Sequence, residues 1–443
     1  MNKRIFFTIC ILIAFAFQQS KAQDSTRMSL QSAIENAIRY RVEIKIQQVN
    51  AANSFNEVSK ANSKLLPQLT SDLDLRYNSQ LQTNILPGTV FGQAGTPDKK
   101  VKFGTNYNTV AAINLVIPIY TPADQSDKQI AKIQAEYDGL NVLKTQEDIK
   151  EEVTVSYFNG LIAKEKVDLS KVNMDNTSAV YSVGQAQLEK GAITVYELDK
   201  SRIDFENARS TYVKDVNTYK LALTDLSYRI GTDSPKYIIL SDDLSSLYNK
   251  YYDVIDKEFQ LNRVELKMQS VQEQIYRQQI LKQTKEYIPV VSFYGNYTAQ
   301  NLNNNFSPFN SNTWYPYNYI GIKASIPLFD GLLKQRSKAG YRLQLESAQL
   351  TSEKLKKDYN QDVSAAKSAL INDQQDLLNQ KNNLKLASEL YKVDSGRFNK
   401  GTIRGTDLAA TYYTLQQTQT NYLNAIYTYL IDVVHYKKAL GQL

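Results

Sequence analysis

The sequence predicts a mostly α-helical chain that also carries two β-hairpins and is built from two internal repeats. Three observations predict this fold class. The ten prolines are confined to three places, polar and apolar residues alternate around two of those places, and short motifs recur about 210 residues apart. Proline breaks helix interiors and is confined to edges and turns of sheets, so the proline-free ranges 123–234 and 328–443 are expected to form long helices.

The N-terminus has the pattern of an export signal. Two basic residues precede a 13-residue apolar run that ends at Phe17, and small residues stand at Ser20 and Ala22. This pattern predicts a cleaved secretory signal peptide at residues 1–22, which contains the only cysteine, Cys10. The run is shorter than the roughly 20 residues of a spanning helix, and no later run approaches that length. Any membrane span must therefore be made of strands.

The composition excludes several classes of function. With one His and one Cys, the chain lacks the ligands for a His/Cys metal cage or a disulfide framework. A net charge of +7 from 52 basic and 45 acidic residues is mild and does not call for a nucleic-acid partner. His435 is the only possible imidazole base and is expected to be a packed or solvated helix residue. No catalytic residue, cofactor or metal is expected, and a hydrolase is the least favoured class.

The proline-free ranges have helical composition and periodicity. A continuous helix from about 124 to 188 would be roughly 95 Å long at 1.5 Å per residue. Apolar residues also step by three and four positions, as in a coiled-coil seam, in two shorter segments. These residues are Val42, Ile46 and Val49 in the first segment, and Val264, Met268, Val271 and Ile275 in the second.

Around the two larger proline clusters the period changes to two, which predicts hairpins at 67–120 and 289–328. One face of these strands is apolar and includes Leu73, Leu75, Ile113, Leu115, Phe293 and Ile322. The other face is polar and includes Asp72, Asp74, Arg76, Asn114 and Asn296. The segment between the first two strands, with its glycines and prolines, is predicted to be a long turn-rich loop.

A sheet with one apolar and one polar face fits two environments. It can be a soluble sheet with one wet side, or a transmembrane sheet whose apolar face meets lipid while its polar face lines water. Four strands cannot close a barrel, because the smallest membrane barrels have about eight. The chain therefore contributes to a shared barrel, or its sheet is soluble.

The chain consists of two copies of one plan. The segment Arg41-Val42-Glu43 recurs 222 residues later, as Arg263-Val264-Glu265, and Lys190-Gly191 recurs 210 residues later, as Lys400-Gly401. The repeats predict a first half at 23–231, a connection at 232–251 and a second half at 252–443. Each half reads as helix, hairpin, long helix, tight turn at Gly191 or Gly401, and helix.

These motifs resemble the TolC family of outer-membrane efflux and secretion ducts. The resemblance covers nearly the whole mature chain and rests on five segments taken in order. They are Leu65-Leu66-Pro67-Gln68-Leu69, Ile326-Pro327-Leu328-Phe329-Asp330-Gly331, Lys400-Gly401-Thr402-Ile403, Asp407-Leu408 and Lys438-Ala439-Leu440-Gly441. It implies a homotrimer in the outer membrane, with a twelve-stranded β-barrel of four strands per chain and a long periplasmic α-barrel of coiled coils.

The implied activity is passive conduction in a tripartite efflux or type I secretion system. A periplasmic adaptor would join the duct to an inner-membrane pump of the resistance-nodulation-division, ABC or related type. The polar strand face would line the lumen, and the apolar face would meet outer-membrane lipid. The chain shows no metal-ligand cluster that a copper or silver relay would need. Two other classes remain open: a coiled-coil scaffold or adhesin without channel activity, and a soluble binding protein.

The resemblance also implies a gate at the periplasmic tip, near the turns at Gly191 and Gly401. On matching positions, Glu197 and Asp407 would be the acids that form rings around the axis, and Arg404 would be a bonding partner. The chain departs from the family pattern at two positions. Ile403 stands where an arginine that locks the gate is expected, and Ala410 stands where a second acid is expected.

Overall fold

The computed structural model describes residues 26–90, 97–232, 238–251, 262–400, 402–403 and 405–443. The predicted signal peptide, Gly401 and Arg404 lie outside these residues. The fold divides into two compact units. Of the described residues, unit 1 combines those within 26–49, 139–268 and 352–443, and unit 2 combines those within 50–138 and 269–351.

Helices form most of the described chain, as predicted. They are α1 (Leu30–Tyr40), α2 (Val42–Ser63), α3 (Pro122–Glu189), α4 (Val195–Ile230), α5 (Leu244–Tyr251), α6 (Val264–Lys285), α7 (Leu333–Asn399) and α8 (Gly405–Leu440). The predicted long helix is confirmed as α3, which begins at Pro122, where the missing amide hydrogen costs nothing. In the ranges that the structure covers, no helix is long and apolar enough to cross a membrane.

The strands form three separate sheets. The strands are β1 (Thr26–Met28), β2 (Gln68–Tyr77), β3 (Thr83–Leu86), β4 (Lys99–Lys102), β5 (Tyr107–Tyr120), β6 (Ile238–Leu240), β7 (Val290–Asn303) and β8 (Trp314–Ser325). The main sheet lies in unit 2 and has the order β2-β5-β7-β8, with every neighbouring pair antiparallel. In unit 1, β1 pairs in parallel with β6.

The first hairpin differs from the sequence prediction in two respects. The alternating pattern continues to Leu81, but β2 ends at Tyr77. Asn78 closes the ladder there, because its backbone amide donates to Asn106 O at 2.7 Å and its side-chain amide donates to Thr105 O at 2.9 Å. The segment predicted as a turn-rich loop also contains a small antiparallel hairpin, in which β3 pairs with β4.

The hydrophobic core of unit 1 lies where α1, α3, α4, α7 and α8 meet. Tyr157 of α3 and Tyr429 of α8 are fully buried there with Leu226 of α4 and Leu370 of α7. The Tyr157 hydroxyl donates to the carbonyl oxygen of Met28 at 2.9 Å, which ties α3 to β1. Burying one large apolar side chain contributes about 1.5–3 kcal/mol, so this cluster is a principal source of stability in unit 1.

Of the two predicted seams, one is buried and the other is not. Val264, Met268, Val271 and Ile275 of α6 are all buried. Val42, Ile46 and Val49 of α2 are each at least half exposed, so the prediction of a packed seam there is wrong for the chain by itself. The buried residue at the start of α2 is Ile44, which is 1% exposed. At 3.6 residues per turn, it lies on the opposite side of the helix from Val42 and Ile46.

Each repeat ends on a glycine that lies against the beginning of the same repeat. Gly231 follows α4 with φ +79°, and a Cβ atom added there would lie 3.2 Å from the carbonyl carbon of Tyr40. Gly441 follows α8 with φ +72°, and its added Cβ would lie 2.6 Å from the carbonyl oxygen of Asn262. Both positions need the left-handed conformation that glycine adopts without strain. Gly441 leaves no room for a Cβ atom, whereas at Gly231 the neighbouring backbone would have to move by a few tenths of an ångström.

Candidate functional site

The register of the main sheet determines which side chains share a face. Directly opposed residues point to the same side, and the row Thr70, Asn114, Asn296 and Tyr319 crosses all four strands. Following this register, one face carries Asp72, Asp74, Arg76, Asn114 and Asn296. The opposite face carries Leu73, Leu75, Ile113, Leu115, Phe293 and Ile322. The two predicted sets therefore lie on opposite faces of one continuous sheet.

Side-chain hydrogen bonds join the polar face across three strands. The Asn114 amide donates to an Asp72 carboxylate oxygen at 2.7 Å, and the Asn296 amide donates to Asn114 Oδ1 at 2.7 Å. The Thr298 hydroxyl then donates to Asn296 Oδ1 at 2.7 Å. Because each group orients the next, these residues form a polar ladder of fixed geometry. The ladder consists of Asp72, Asn114, Asn296 and Thr298.

The apolar face is largely uncovered within the chain. Leu73 is 69% exposed and Ile322 is 70% exposed, although both lie in the middle of their strands. An exposed apolar face of this extent marks a surface that meets lipid or another protein.

A glycine on β8 makes room for an aromatic ring on the polar face. A Cβ added at Gly321 would lie 2.9 Å from Cζ of Tyr294, so the ring covers the bare backbone. The same ring meets Tyr319 edge to face, with 5.9 Å between the ring centres. Sequence analysis did not single out this pair. The signal was present, because an isolated glycine in an alternating strand indicates a close approach.

The turn between α3 and α4 is a compact reversal centred on Gly191. Gly191 adopts φ +68°, and its amide donates to Leu188 O at 2.9 Å. The amide of Ala192 donates to Gln187 O at 2.9 Å. These two bonds satisfy carbonyl groups that a helix end leaves free, in the pattern of a Schellman motif.

Glu197 takes part in the capping of α4. Its carboxylate accepts the backbone amide of Thr194 at 2.8 Å, while the Thr194 hydroxyl accepts the Glu197 amide at 3.3 Å. This reciprocal capping box fixes the first turn of the helix. The hydrogen bond from the Thr194 amide also lowers the pKa of Glu197, so the fully exposed carboxylate stays charged at neutral pH.

Asp407 occupies the corresponding place in the second repeat. It lies exposed in the first turn of α8, 210 residues after Glu197. The neighbouring Thr411 hydroxyl donates to Asp394 at 2.7 Å and so ties α8 to α7. Acids in a first turn are favoured by the helix dipole. The structure thus gives Glu197 and Asp407 matching positions in the two repeats.

A cavity of about 670 Å³ lies in unit 1 among α3, α4, α7 and α8. Aromatic and aliphatic side chains line it together with hydroxyl and amide groups. Two contacts span it: the Asn176 amide donates to the Tyr412 hydroxyl at 2.7 Å, and the rings of Tyr391 and Tyr412 lie 5.2 Å apart. No local sequence pattern indicates this cavity, because its lining comes from four separate helices.

An arginine stands at the start of each repeat, buried in the first and partly buried in the second. Arg41 is 8% exposed and contacts Glu43 at 2.8 Å and Glu152 at 3.2 Å. Its hydrogen bond lowers the pKa of Glu43. In the second repeat, Arg263 contacts Glu265 at 3.1 Å. The Arg-x-Glu motif marks the repeat in the sequence, and its spacing also indicates the ion pair.

A second charged cluster joins α7 and α8 in unit 1. Burial, followed by the negative charge of Asp432, raises the pKa of Asp373 to about 6. Oδ2 of Asp373 is buried and accepts no hydrogen bond from the described residues. His435 lies beside the pair on α8, 3.9 Å from Asp432 and 4.0 Å from Glu151.

Comparison with known proteins identifies relatives of this architecture. A family model described as "Outer membrane efflux protein" matches residues 33–232 and 257–442. Outer membrane protein TolC of Vibrio cholerae is 21% identical over 399 residues, which cover 88% of this chain and 85% of the relative. The crystal structure of CusC superposes with a TM-score of 0.73 at 13% identity, covering 96% of this chain and 95% of that one. The CmeC outer membrane channel of Campylobacter jejuni gives a TM-score of 0.71 at 13% identity, with 93% and 85% covered.

Proposed function

This chain belongs to the outer membrane efflux protein family, and from that premise we propose that three copies assemble into one passive duct. The chain is an outer-membrane efflux channel with long helices of the TolC type. In the proposed assembly, each copy contributes its four main strands to a twelve-stranded barrel. The helices extend into the periplasm, with the turn at Gly191 at their far end.

The observation that carries this proposal is the pair of open sheet edges. Within the described residues, β2 and β8 each pair with one neighbour only. A lipid-exposed sheet cannot keep open edges, because each unpaired backbone group costs several kcal/mol in hydrocarbon. Pairing of β8 in one copy with β2 in the next closes the ring. The apolar face then meets lipid, and the polar ladder lines the water-filled lumen.

Disulfide crosslinking tests the edge pairing directly. The only natural cysteine, Cys10, lies in the predicted signal peptide. Thr70→Cys on β2 should crosslink to one of Tyr317→Cys, Tyr319→Cys or Lys323→Cys on β8, because these residues lie on one face. The product should be a ladder of dimers and trimers on non-reducing gels. The matched control is Ser71→Cys with the same three partners. Ser71 lies on the opposite face of the sheet, so this cysteine should not crosslink. Monomers from every same-face pair would refute the shared barrel.

We propose that partner proteins supply the energy for transport. An inner-membrane pump of the resistance-nodulation-division, ABC or related type drives export, and a periplasmic adaptor connects it to the helix turns. The purified protein should therefore conduct ions in planar bilayers without nucleotide or a proton gradient. A requirement for either would mean that the chain itself couples energy to transport.

The gate is the part of the proposal that rests on the helix turns. Glu197 and Asp407 start α4 and α8, so threefold symmetry would arrange each acid as a ring of three. Like charges around a narrow axis attract cations and make a constriction sensitive to them. Glu197 already accepts hydrogen bonds from Thr194, whereas Ile403 and Ala410 add no charge. We infer that Glu197 and Asp407 are the acids of the gate, with Arg404 as a candidate partner.

A further inference from the structure

We propose that the cavity among α3, α4, α7 and α8 is a binding site for a neutral, aromatic, amphipathic molecule that carries a hydrogen-bond acceptor. The cavity is a cleft in unit 1 that is partly open to solvent, and the inference does not depend on the proposed conduction through the duct. It rests on the size of the cavity, its lining, and one buried amide without a partner.

The size and lining define the class of molecule. A volume of about 670 Å³ lies within the roughly 300–1,000 Å³ of pockets that hold drug-sized ligands. Aromatic rings from α7 and α8 contribute much of the apolar wall. They belong to Tyr391, Phe398, Tyr412 and Tyr413. A flat aromatic ligand can therefore stack on ring faces and bury apolar surface.

The charges of the lining favour an uncharged ligand. Three lining side chains are charged, and they are of mixed sign: Lys166, Asp204 and Asp215. A charged ligand of either sign would meet a like charge in the lining, since an anion would meet Asp204 and Asp215 and a cation would meet Lys166, and its partial loss of hydration would be costly. A neutral molecule avoids this cost and can still bond to the hydroxyl and amide groups of the wall.

The unpartnered side-chain amide of Gln416 indicates that the ligand carries a hydrogen-bond acceptor. Nε2 of Gln416 on α8 is buried at the cavity wall and donates to no other group among the described residues. A buried donor without an acceptor costs about 1–3 kcal/mol. A ligand carbonyl positioned at Gln416 Nε2 would satisfy the donor and recover that loss. The site is therefore expected to prefer a carbonyl-bearing aromatic molecule over an apolar molecule of similar size.

Two fluorescent dyes test the preference on the full purified protein in lipid nanodiscs. Nile red is neutral and aromatic and has a carbonyl acceptor, whereas N-phenyl-1-naphthylamine is aromatic and lacks one. Gln416→Leu should weaken Nile red binding by about five- to tenfold and leave the naphthylamine nearly unchanged, because one hydrogen bond is worth roughly 1 kcal/mol. Gln375→Leu is the matched control, since the Gln375 amide donates to Asn379 at 3.3 Å and lies outside the cavity.

A second substitution tests the location. Ala208 is buried on α4 at the cavity wall, so Ala208→Leu should fill part of the space and weaken both dyes. Ala365→Leu adds the same atoms at an exposed position of α7 and should change neither. Unchanged Nile red binding in Gln416→Leu, or an equal loss of both dyes in that variant, would overturn the acceptor assignment. Unchanged binding of both dyes in a folded Ala208→Leu variant would overturn the site.

Discussion

The Asn114 side-chain amide donates to the Asp72 carboxylate across the β2–β5 pair at 2.7 Å, and Asn114 accepts in turn from Asn296 of β7. This relationship joins the two repeats, since Asn114 belongs to the first hairpin and Asn296 to the second. The polar face of the sheet is therefore a connected surface with a fixed arrangement of donors and acceptors. Its apolar counterpart, on the opposite face, has no such internal partners and depends on what surrounds it.

The first prediction concerns the environment of the apolar face. Leu73→Arg should abolish or strongly reduce assembly, because a basic side chain on the lipid face near mid-bilayer costs about 2–4 kcal/mol. The measurement is the yield of heat-modifiable trimer in outer-membrane fractions. Asp74→Asn on the polar face is the control and should assemble normally, since the exposed Asp74–Arg76 pair contributes little. If Leu73→Arg assembled normally and Asp74→Asn did not, the assignment of the lumen and lipid faces would be reversed.

The second prediction concerns the glycine that ends the second repeat. Gly441→Ala should lower the free energy of unfolding by about 1–3 kcal/mol, because the added Cβ overlaps backbone atoms of Asn262 and Arg263. Gly340→Ala in α7 is the matched control, since no neighbouring atom lies within 4 Å of its Cβ position. There the change should stabilise the helix by about 1 kcal/mol. Thermal unfolding of the two variants gives the comparison, and equal shifts would contradict the close approach at Gly441.

The third prediction concerns pH. The pKa of Asp373 is raised to about 6 in the folded protein, so between pH 4 and 6 the folded state binds more protons than the unfolded state. The free energy of unfolding should therefore fall as the pH rises from 5 to 7, and Asp373→Asn should flatten this dependence. Glu147 and Glu165, whose pKa values burial also raises, leave a residual slope in both proteins.

The measurement for this prediction is thermal unfolding at pH 5 and pH 7. The neighbours Asp376, Asp432 and His435 are unchanged in the variant, so the difference from the wild type isolates Asp373. Glu389→Gln, an exposed acid on the same helix, is the control and should keep the wild-type slope. An Asp373→Asn variant with the full wild-type slope would show that Asp373 carries no proton at pH 5.

The fourth prediction concerns the proposed gate. Conductance in planar bilayers should be low and should be blocked further by divalent cations added from the periplasmic side, because acid rings attract cations. Asp407→Ala should weaken that block. Glu197→Gln should also weaken the block, because it removes the charge while a glutamine oxygen can still accept from Thr194 and preserve the helix start. If divalent cations blocked the Asp407→Ala variant as strongly as the wild type, Asp407 would be an ordinary surface acid and not a pore acid.

Much of the fold could be predicted because it is expressed in local patterns. The proline-free range 123–234 indicated α3, and the period-two alternation around residues 68–77 gave both the strand and the faces of its side chains. The end of β2 was not predictable from alternation, because it depends on hydrogen bonds from Asn78 to Thr105 and Asn106. The hairpin of β3 and β4 was missed because its strands have four residues each, too few to establish a period.

The candidate site was less accessible to sequence reasoning. The Thr194-x-x-Glu197 capping box has a readable signature, yet the sequence interpretation of Glu197 considers only a pore acid or an ordinary surface acid. Asp373 and Asp432, or Asn176 and Tyr412, are far apart in the chain and become neighbours only when the helices pack. The exposure of Val42 has the same origin, because periodicity identifies an apolar stripe but not the element that covers it.

The contacts of Gly231 with Tyr40 and of Gly441 with Asn262 hold the last turn of each half of the chain against the beginning of that half. Each of these contacts joins two residues of the same half. A half-length ancestor would thus have possessed the closing contact already, and tandem duplication of its gene would have needed no new one. Each hairpin lies between the two contacting residues along the chain. Its length could therefore diverge without disturbing the contact.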